Sequence, residues 1–259
     1  ESGSGGNASF HGQMSSNKRL VFGTEHSADN TVVTLRMFRK RTTSPGFSPA
    51  DLASKTFTFH GLRSGSDNNW NWGEGSTDGS GAVTLTREVN PTIDNNTPRS
   101  SGTLSVTSAG IVKSTDDNTF YGLMTDDKKV IFKIDGRVAD GSYGFHVITV
   151  TGQAYTQPDY AGIYNFSVIR NNAANPGWAY GETYVDAAGN GIYLFYRDSG
   201  GAVVASPPTF TRLLSASGVI TDPLDNTAHG QMSYNKDITV RTNTMNPGGR
   251  YGVVIGFKR

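Results

Sequence analysis

Apolar and polar residues alternate along much of the chain. In Lys55–His60, Phe57 and Phe59 alternate with Thr56 and Thr58. In Ile163–Ile169, Tyr164, Phe166 and Val168 alternate with Asn165 and Ser167. A period of two with aromatic and β-branched residues on one phase predicts half-buried β-strands. Turn signals separate them. Asp78-Gly79-Ser80-Gly81 and Asp186-Ala187-Ala188-Gly189 predict short hairpin loops, with Asp accepting backbone N–H groups and the last glycine left-handed. A second kind of turn is predicted at Ser16-Asn17, Asp126-Asp127 and Tyr234-Asn235, each followed by Lys and an apolar strand. Asn and Asp are expected to carry the positive φ there, with Lys at the exposed end.

These elements recur. Phe10-His11-Gly12-Gln13-Met14-Ser15-Ser16-Asn17-Lys18 returns at Phe120–Lys128 and at Ala228–Lys236, with spacings of 110 and 108 residues. We call this segment A. A second segment, B, pairs Trp70-Asn71-Trp72-Gly73-Glu74 with Trp178-Ala179-Tyr180-Gly181-Glu182. Just upstream, Leu62-Arg63 matches Ile169-Arg170. A third segment, C, pairs Tyr143–Val147 with Tyr251–Ile255, and Thr31–Phe38 stands where its first copy belongs. The chain therefore reads A-C-B-A-C-B-A-C. Self-similarity at a fixed period fixes architecture before any single element does.

The repeat predicts an all-β fold of tandem meander barrels or sandwiches with a period of about 108 residues. The run of sequential hairpins resembles calycin-like barrels in pattern, which implies a cup-shaped interior. Residues 1–47 are expected to form a half repeat, 48–157 a first β unit and 158–259 a second. Thr42–Ser54 and Gln153–Ala161 read as linkers because of their Pro and Gly content.

Composition narrows the setting. Cysteine is absent, which excludes disulfides and thiolate metal sites. Net charge is +1, so no global field draws nucleic acid, and Arg36–Arg41 reads as a solvated strand end. No apolar run reaches the 18 residues of a membrane-spanning helix. The Gly-rich start at Glu1 reads as a flexible tether, left by processing or by cloning. These features point to an extracellular or cell-surface setting in a bacterium, as a secreted or lipid-anchored protein.

The chemistry-bearing candidates are few. Trp70, Trp72 and Glu74 share one strand face, as do Trp178, Tyr180 and Glu182. An aromatic ring beside a carboxylate can hold a sugar. The competing expectation is a core aromatic ladder in which Arg63 pairs with Glu74 and Arg170 with Glu182, and the sequence favours it because the Arg and Glu recur together. The acidic stretches Asp116-Asp117-Asn118 and Asp222–Asn226 lack calcium-loop spacing and read as Asx turns. His11, His26, His60, His146 and His229 show no metal-ligand spacing, so no cofactor is expected. Glu74 and Asp78 would lie about 13 Å apart on one strand, too far for a glycosidase pair. The sequence thus predicts a non-catalytic structural or adhesive protein, with a carbohydrate- or small-ligand-binding module as the alternative. Self-assembly through the half repeat at 7–41 is expected if that lone hairpin docks in a neighbouring copy.

Overall fold

The thrice-repeated A segment folds in one way each time. In the computed structural model, which describes residues 9–26, 33–40, 46–137, 141–171, 177–199, 208–245 and 250–259, a hydroxyl holds each A turn. The Oγ of Ser15, Thr125 and Ser233 accepts the backbone N–H of Leu20, Val130 and Ile238, at 3.0, 3.0 and 2.9 Å. The positive φ falls on Lys18, Lys128 and Lys236, at 57°, 63° and 63°, and not on the Asn or Asp before them. Those Asn and Asp side chains are used instead as acceptors: Asn17 Oδ1 takes the N–H of Arg19 and Asp127 Oδ1 that of Lys129. At the other turns Gly81 and Gly189 adopt φ of 86° and 90°, below the N–H-accepting carboxylates of Asp78 and Asp186.

The first three strands, β1 (Ser9–Met14), β2 (Leu20–His26) and β3 (Val33–Arg39), make a small antiparallel sheet. The next group is β4 (Thr56–Ser64), β5 (Asn69–Thr77), β6 (Ala82–Val89), β7 (Asp94–Asn95), β8 (Arg99–Val106), β9 (Ile111–Ser114), β10 (Tyr121–Met124), β11 (Val130–Arg137) and β12 (Ser142–Val150). Its order is β5-β4-β12-β11-β10-β9-β8-β6, and pairing of β5 with β6 closes the ring into a barrel. The last group is β13 (Gly162–Asn171), β14 (Gly177–Val185), β15 (Asn190–Asp198), β16 (Thr209–Thr211), β17 (Leu213–Leu214), β18 (Val219–Asp222), β19 (Asp225–Met232), β20 (Ile238–Met245) and β21 (Arg250–Lys258). Its order is β16-β15-β14-β13-β21-β20-β19-β18-β17. Only Arg212 separates β16 from β17, so this second barrel is closed except at one residue. Tandem meander barrels are therefore the architecture.

The two expected linkers do more than connect. Each contributes a short 3-10 helix, Pro49–Asp51 and Gln157–Tyr160, begun by a Ser48/Asp51 or Thr156/Asp159 capping box. Phe47 and Leu52 are buried in the first barrel and Tyr155 in the second, so these segments plug the barrel floors. Lys128–Asp51 and Lys236–Asp159 ion pairs, both 2.9 Å, tie each plug to the A turn of its own barrel. Residues 42–45 lie outside the described set.

The half repeat docks on its own chain. Leu20 and Phe22 of β2 join Val130 and Phe132 of β11 and Ile238 and Val240 of β20 in one buried cluster, completed by Val147, Val253, Ile255, Phe257 and Leu62. The three A segments thus converge on a shared core. Their turns also meet: Arg19 pairs with Asp126 at 2.7 Å, and Asn235 donates to Asp127 at 2.7 Å. The hairpin expected to reach a neighbouring copy is consumed in cis, because burying Phe22 here needs no second chain.

Candidate functional site

The Trp strands turn outward from their barrels, the first covered by the third A segment and the second by the first A segment. Trp72 stacks on His229 with ring centroids 3.6 Å apart and planes 2° from parallel, and Arg87 lies over the same indole at 4.7 Å. His60 shares a 2.8 Å hydrogen bond with His229, and Trp70 Nε1 donates to Thr244 Oγ1 at 2.8 Å. In the second unit Tyr180 stacks on His11 at 4.3 Å, with Trp178 at 5.2 Å. Trp70, Trp72 and Trp178 are each 6% exposed or less. A sugar has no access to these faces. The strands are seats that lock barrel to barrel, and barrel to half repeat.

The expected Arg–Glu pairs do not form. Arg63 points into the first barrel and pairs with Asp67 at 3.3 Å. It sits opposite Asn69, while Glu74 sits opposite Thr58, on the other phase and further along the strand. Glu74 faces Arg87 across β5–β6. Glu182 pairs with Arg259 at 2.7 Å, and Arg170 reaches Met245 and the Tyr196 hydroxyl inside the second barrel. Recurrence in step was read as contact, whereas the two residue types lie on opposite faces of their sheets.

The two interiors differ. The first barrel is filled at its floor by Phe57, Phe59, Val83, Leu104, Val112, Phe120, Met124 and Ile131. Above them lies a neutralised polar network. Lys133 pairs with Asp135 at 3.1 Å, and His146 lies 3.5 Å from the same carboxylate. His146 Nε2 meets Asn71 Oδ1 at 3.0 Å, Asn71 donates to Glu88, and Glu88 pairs with Arg99. Burial, then the charge of Lys133, lowers the His146 pKa to about 4. Burial works against ionisation of Asp135, but the adjacent His146 ring and the paired Lys133 ammonium outweigh it and hold the carboxyl well below the usual range.

The second barrel encloses a cavity of about 880 Å³. At a spacing of 108 residues, Leu104, Ile131, Ile148 and Val83 are matched by Arg212, Thr239, Gly256 and Gly191. Each change removes apolar volume from the lumen or adds a polar group to it. Phe210 leans over Gly191, where a Cβ would lie 2.2 Å from its ring. The walls carry the rings of Tyr160, Tyr164, Phe166, Tyr193, Tyr196 and Phe210, with Arg170, Arg212 and Arg241 among them. Arg212 is 6% exposed and pairs with Asp222. Burial, helped by the nearby Arg241 charge, lowers its pKa to about 10. Burial also raises the phenols of Tyr160 and Tyr164, which stay neutral donors. Pro208, Leu224, Met245 and Arg250 stand at or beside strand ends around the cavity.

Tyr164, Phe166 and Val168 belong to a strand that the alternation predicts, Arg170 to an expected ion pair and Asp225 to an expected Asx turn, but none of these patterns marks a cavity. The signal was present in the matched pairs, where core aliphatics of one repeat face polar or small residues in the other. Nothing in one repeat alone marks it.

No family of known proteins matches the chain, and no curated protein does. Three solved structures are similar at low identity. A protein of unknown function from the DUF3598 family of Nostoc punctiforme shares 9% identity over 84% of this chain and 100% of its own, with a TM-score of 0.28. The isotype 1 transferrin binding protein B of serogroup B Neisseria meningitidis shares 11% over 98% of this chain, which spans 53% of that protein, with a TM-score of 0.37. Kievitone hydratase of Nectria haematococca shares 8% over 85% of this chain and 96% of its own, with a TM-score of 0.23. Among the described residues no helix is long and apolar enough to cross a membrane. The chain stands as a pair of β-barrels, one packed and one hollow, joined by a half repeat.

Proposed function

We propose that this protein is a non-catalytic binding protein that takes a small, partly aromatic molecule into its second barrel. One observation carries the reading: a cavity of about 880 Å³ opens in the second barrel where the matching interior of the first is packed. That volume lies within the usual range of ligand pockets, roughly 300–1,000 Å³. The lining is mostly aromatic with a few convergent polar groups, the composition such pockets share. An extracellular or cell-surface location, supported by the cysteine-free all-β composition, belongs to the same reading. Calorimetric titration with 2-naphthoate and 2-naphthamide tests it. One molecule bound per chain is expected, with loss of at least tenfold in affinity in Val168→Phe, which puts a ring into the lumen. Equal binding by Val168→Phe would place the site elsewhere.

A second reading, self-association, rests on a different face. Each B strand seats on an A–C sheet, the first on β19–β21 and the second on β1–β2. On the middle copy Phe22 of β2 covers Phe132 and the edge of Phe145, while Tyr121 and Ile134 beyond them are exposed. There the row Tyr121–Ile134–Phe145 crosses the sheet where the third copy has His229–Thr242–Val253. Ile134 is 58% exposed, against 1% and 0% for Thr24 and Thr242 at the same place in the covered copies. The occupant that suits this face is the same face of a second copy, related by a two-fold axis. The row is uniformly apolar and so self-complementary, and it continues the seat already filled twice within the chain. Sedimentation velocity over a concentration series is expected to show a dimer that Ile134→Asp dissociates. A monomer throughout, or a dimer indifferent to Ile134→Asp, contradicts it.

A further inference from the structure

Of the cations lining the second barrel, Arg241 has a counterpart at the same place in the first, Lys133, and the two differ in what neutralises them. In the first barrel Lys133 and Asp135 stand two residues apart on the inner face of β11 and pair at 3.1 Å. The matching residues on β20 are Arg241 and Asn243. The cation is kept and its carboxylate is gone. His146, beside the first pair, is matched by Val254, and Glu88 by Tyr196. The network that neutralises the first lumen is thus replaced by apolar and phenolic groups.

The remaining acids do not restore the balance. Among the described residues, Arg170, Arg212, Arg241 and Arg250 line the cavity with a single carboxylate, Asp225. Asp225 is engaged by Thr227 and Asn243. Asp222 is taken by Arg212. Arg170 spends its guanidinium on Met245 and Tyr196. Arg241 has no hydrogen bond or ion pair among the described residues. A planar guanidinium facing an enclosed aromatic cavity with its donors unspent matches a carboxylate bidentately.

We propose that the second barrel selects an aromatic carboxylate, with the carboxylate on Arg241 and the ring among Tyr164, Phe166, Tyr193 and Phe210. This deepens the binding reading above and rests on it. The ring faces supply stacking area, and the hydroxyls of Tyr160 and Tyr193 supply donors for the carboxylate oxygens that Arg241 leaves free. The Arg241 counter-charge is provided by the ligand, as Asp135 provides it for Lys133 in the first barrel.

The test compares 2-naphthoate with its uncharged near-isostere 2-naphthamide on the whole chain by calorimetry, at a pH where the acid is ionised. Naphthoate is expected to bind at least tenfold more tightly. Arg241→Met is expected to erase that preference, so that naphthoate binds no more tightly than naphthamide. Asn243→Asp combined with Asp225→Asn keeps one amide and one carboxylate in that contact, puts the carboxylate where the first barrel has Asp135, and is expected to weaken naphthoate at least tenfold with the melting temperature unchanged, which guards against a variant that merely misfolds. Equal affinity for the two probes in the unaltered protein overturns the carboxylate assignment but leaves the lumen as the site. Absence of binding by either probe overturns both.

Discussion

Position 104 holds leucine and position 212 holds arginine, and much of the difference between the two barrels turns on such pairs. Leu104 is packed among Phe57, Val112 and Phe120, whereas Arg212 must bring Asp222 with it into the second interior. A buried charge is tolerated only with such a partner, so Asp222→Ala is expected to destabilise the fold by about 3 kcal/mol or more, read by urea denaturation. The histidines give a second residue-scale prediction. Burial and the charge of Arg87 lower the His229 pKa to about 4, and His146 stands at about 4 as well. Burial, with His229 adding, pushes His60 well below its ordinary value. The unfolded chain takes these protons near pH 6.5, whereas in the folded chain His146 and His229 take theirs only near pH 4 and His60 is lowered in the same direction. Stability contributed by the neutral rings is therefore full above pH 6.5 and is lost as pH falls through 4, at about 1.4 kcal/mol per pH unit per histidine. Urea midpoints at pH 7, 5.5 and 4 should fall steeply over that window; a flat profile would show that the Trp72–His229–His60 seat opens without cost.

Among the elements, the A hairpin is the one whose three copies have three fates. Phe22, in the first copy, is fully buried at the junction with Phe132 and Phe257, each 6.2 Å away. Phe38, in the same sheet, is 53% exposed on the opposite face. Phe22→Ala is expected to cost about 3–5 kcal/mol and Phe38→Ala close to nothing, because only the first leaves a core cavity. Similar losses for both would mean that the half repeat is not docked in this way. The period of two and the recurring segments made the strands, their hairpins and the barrel pairing readable from sequence. They did not reveal which phase faces inward. Trp70 and Arg63 lie on opposite phases of adjoining strands, and only closure of the barrel separates an outward indole from an inward guanidinium. The floor plugs were hidden for a related reason: Phe47, Leu52 and Tyr155 stand alone among turn-forming residues, with no periodicity to announce their burial.

For the molecule as a whole, the repeat has been used twice for structure and once for space. The first barrel and the half repeat form a solid body around the shared core of Leu20, Phe22, Val130, Phe132, Ile238 and Val240. The second barrel keeps the same frame and gives up its filling. The excess of arginine over carboxylate in its lining is local, since the whole chain carries a net charge of only +1. The methionines report on each part separately: Met124 is buried in the first barrel, Met245 lines the cavity of the second, and Met14 is exposed on the half repeat. Labelling their methyl groups with ¹³C and titrating with 2-naphthoate therefore locates any bound molecule directly. The account predicts a saturable shift of Met245 with Met124 and Met14 unmoved; a shift of Met124, or of Met14 alone, would contradict a ligand held in the second barrel.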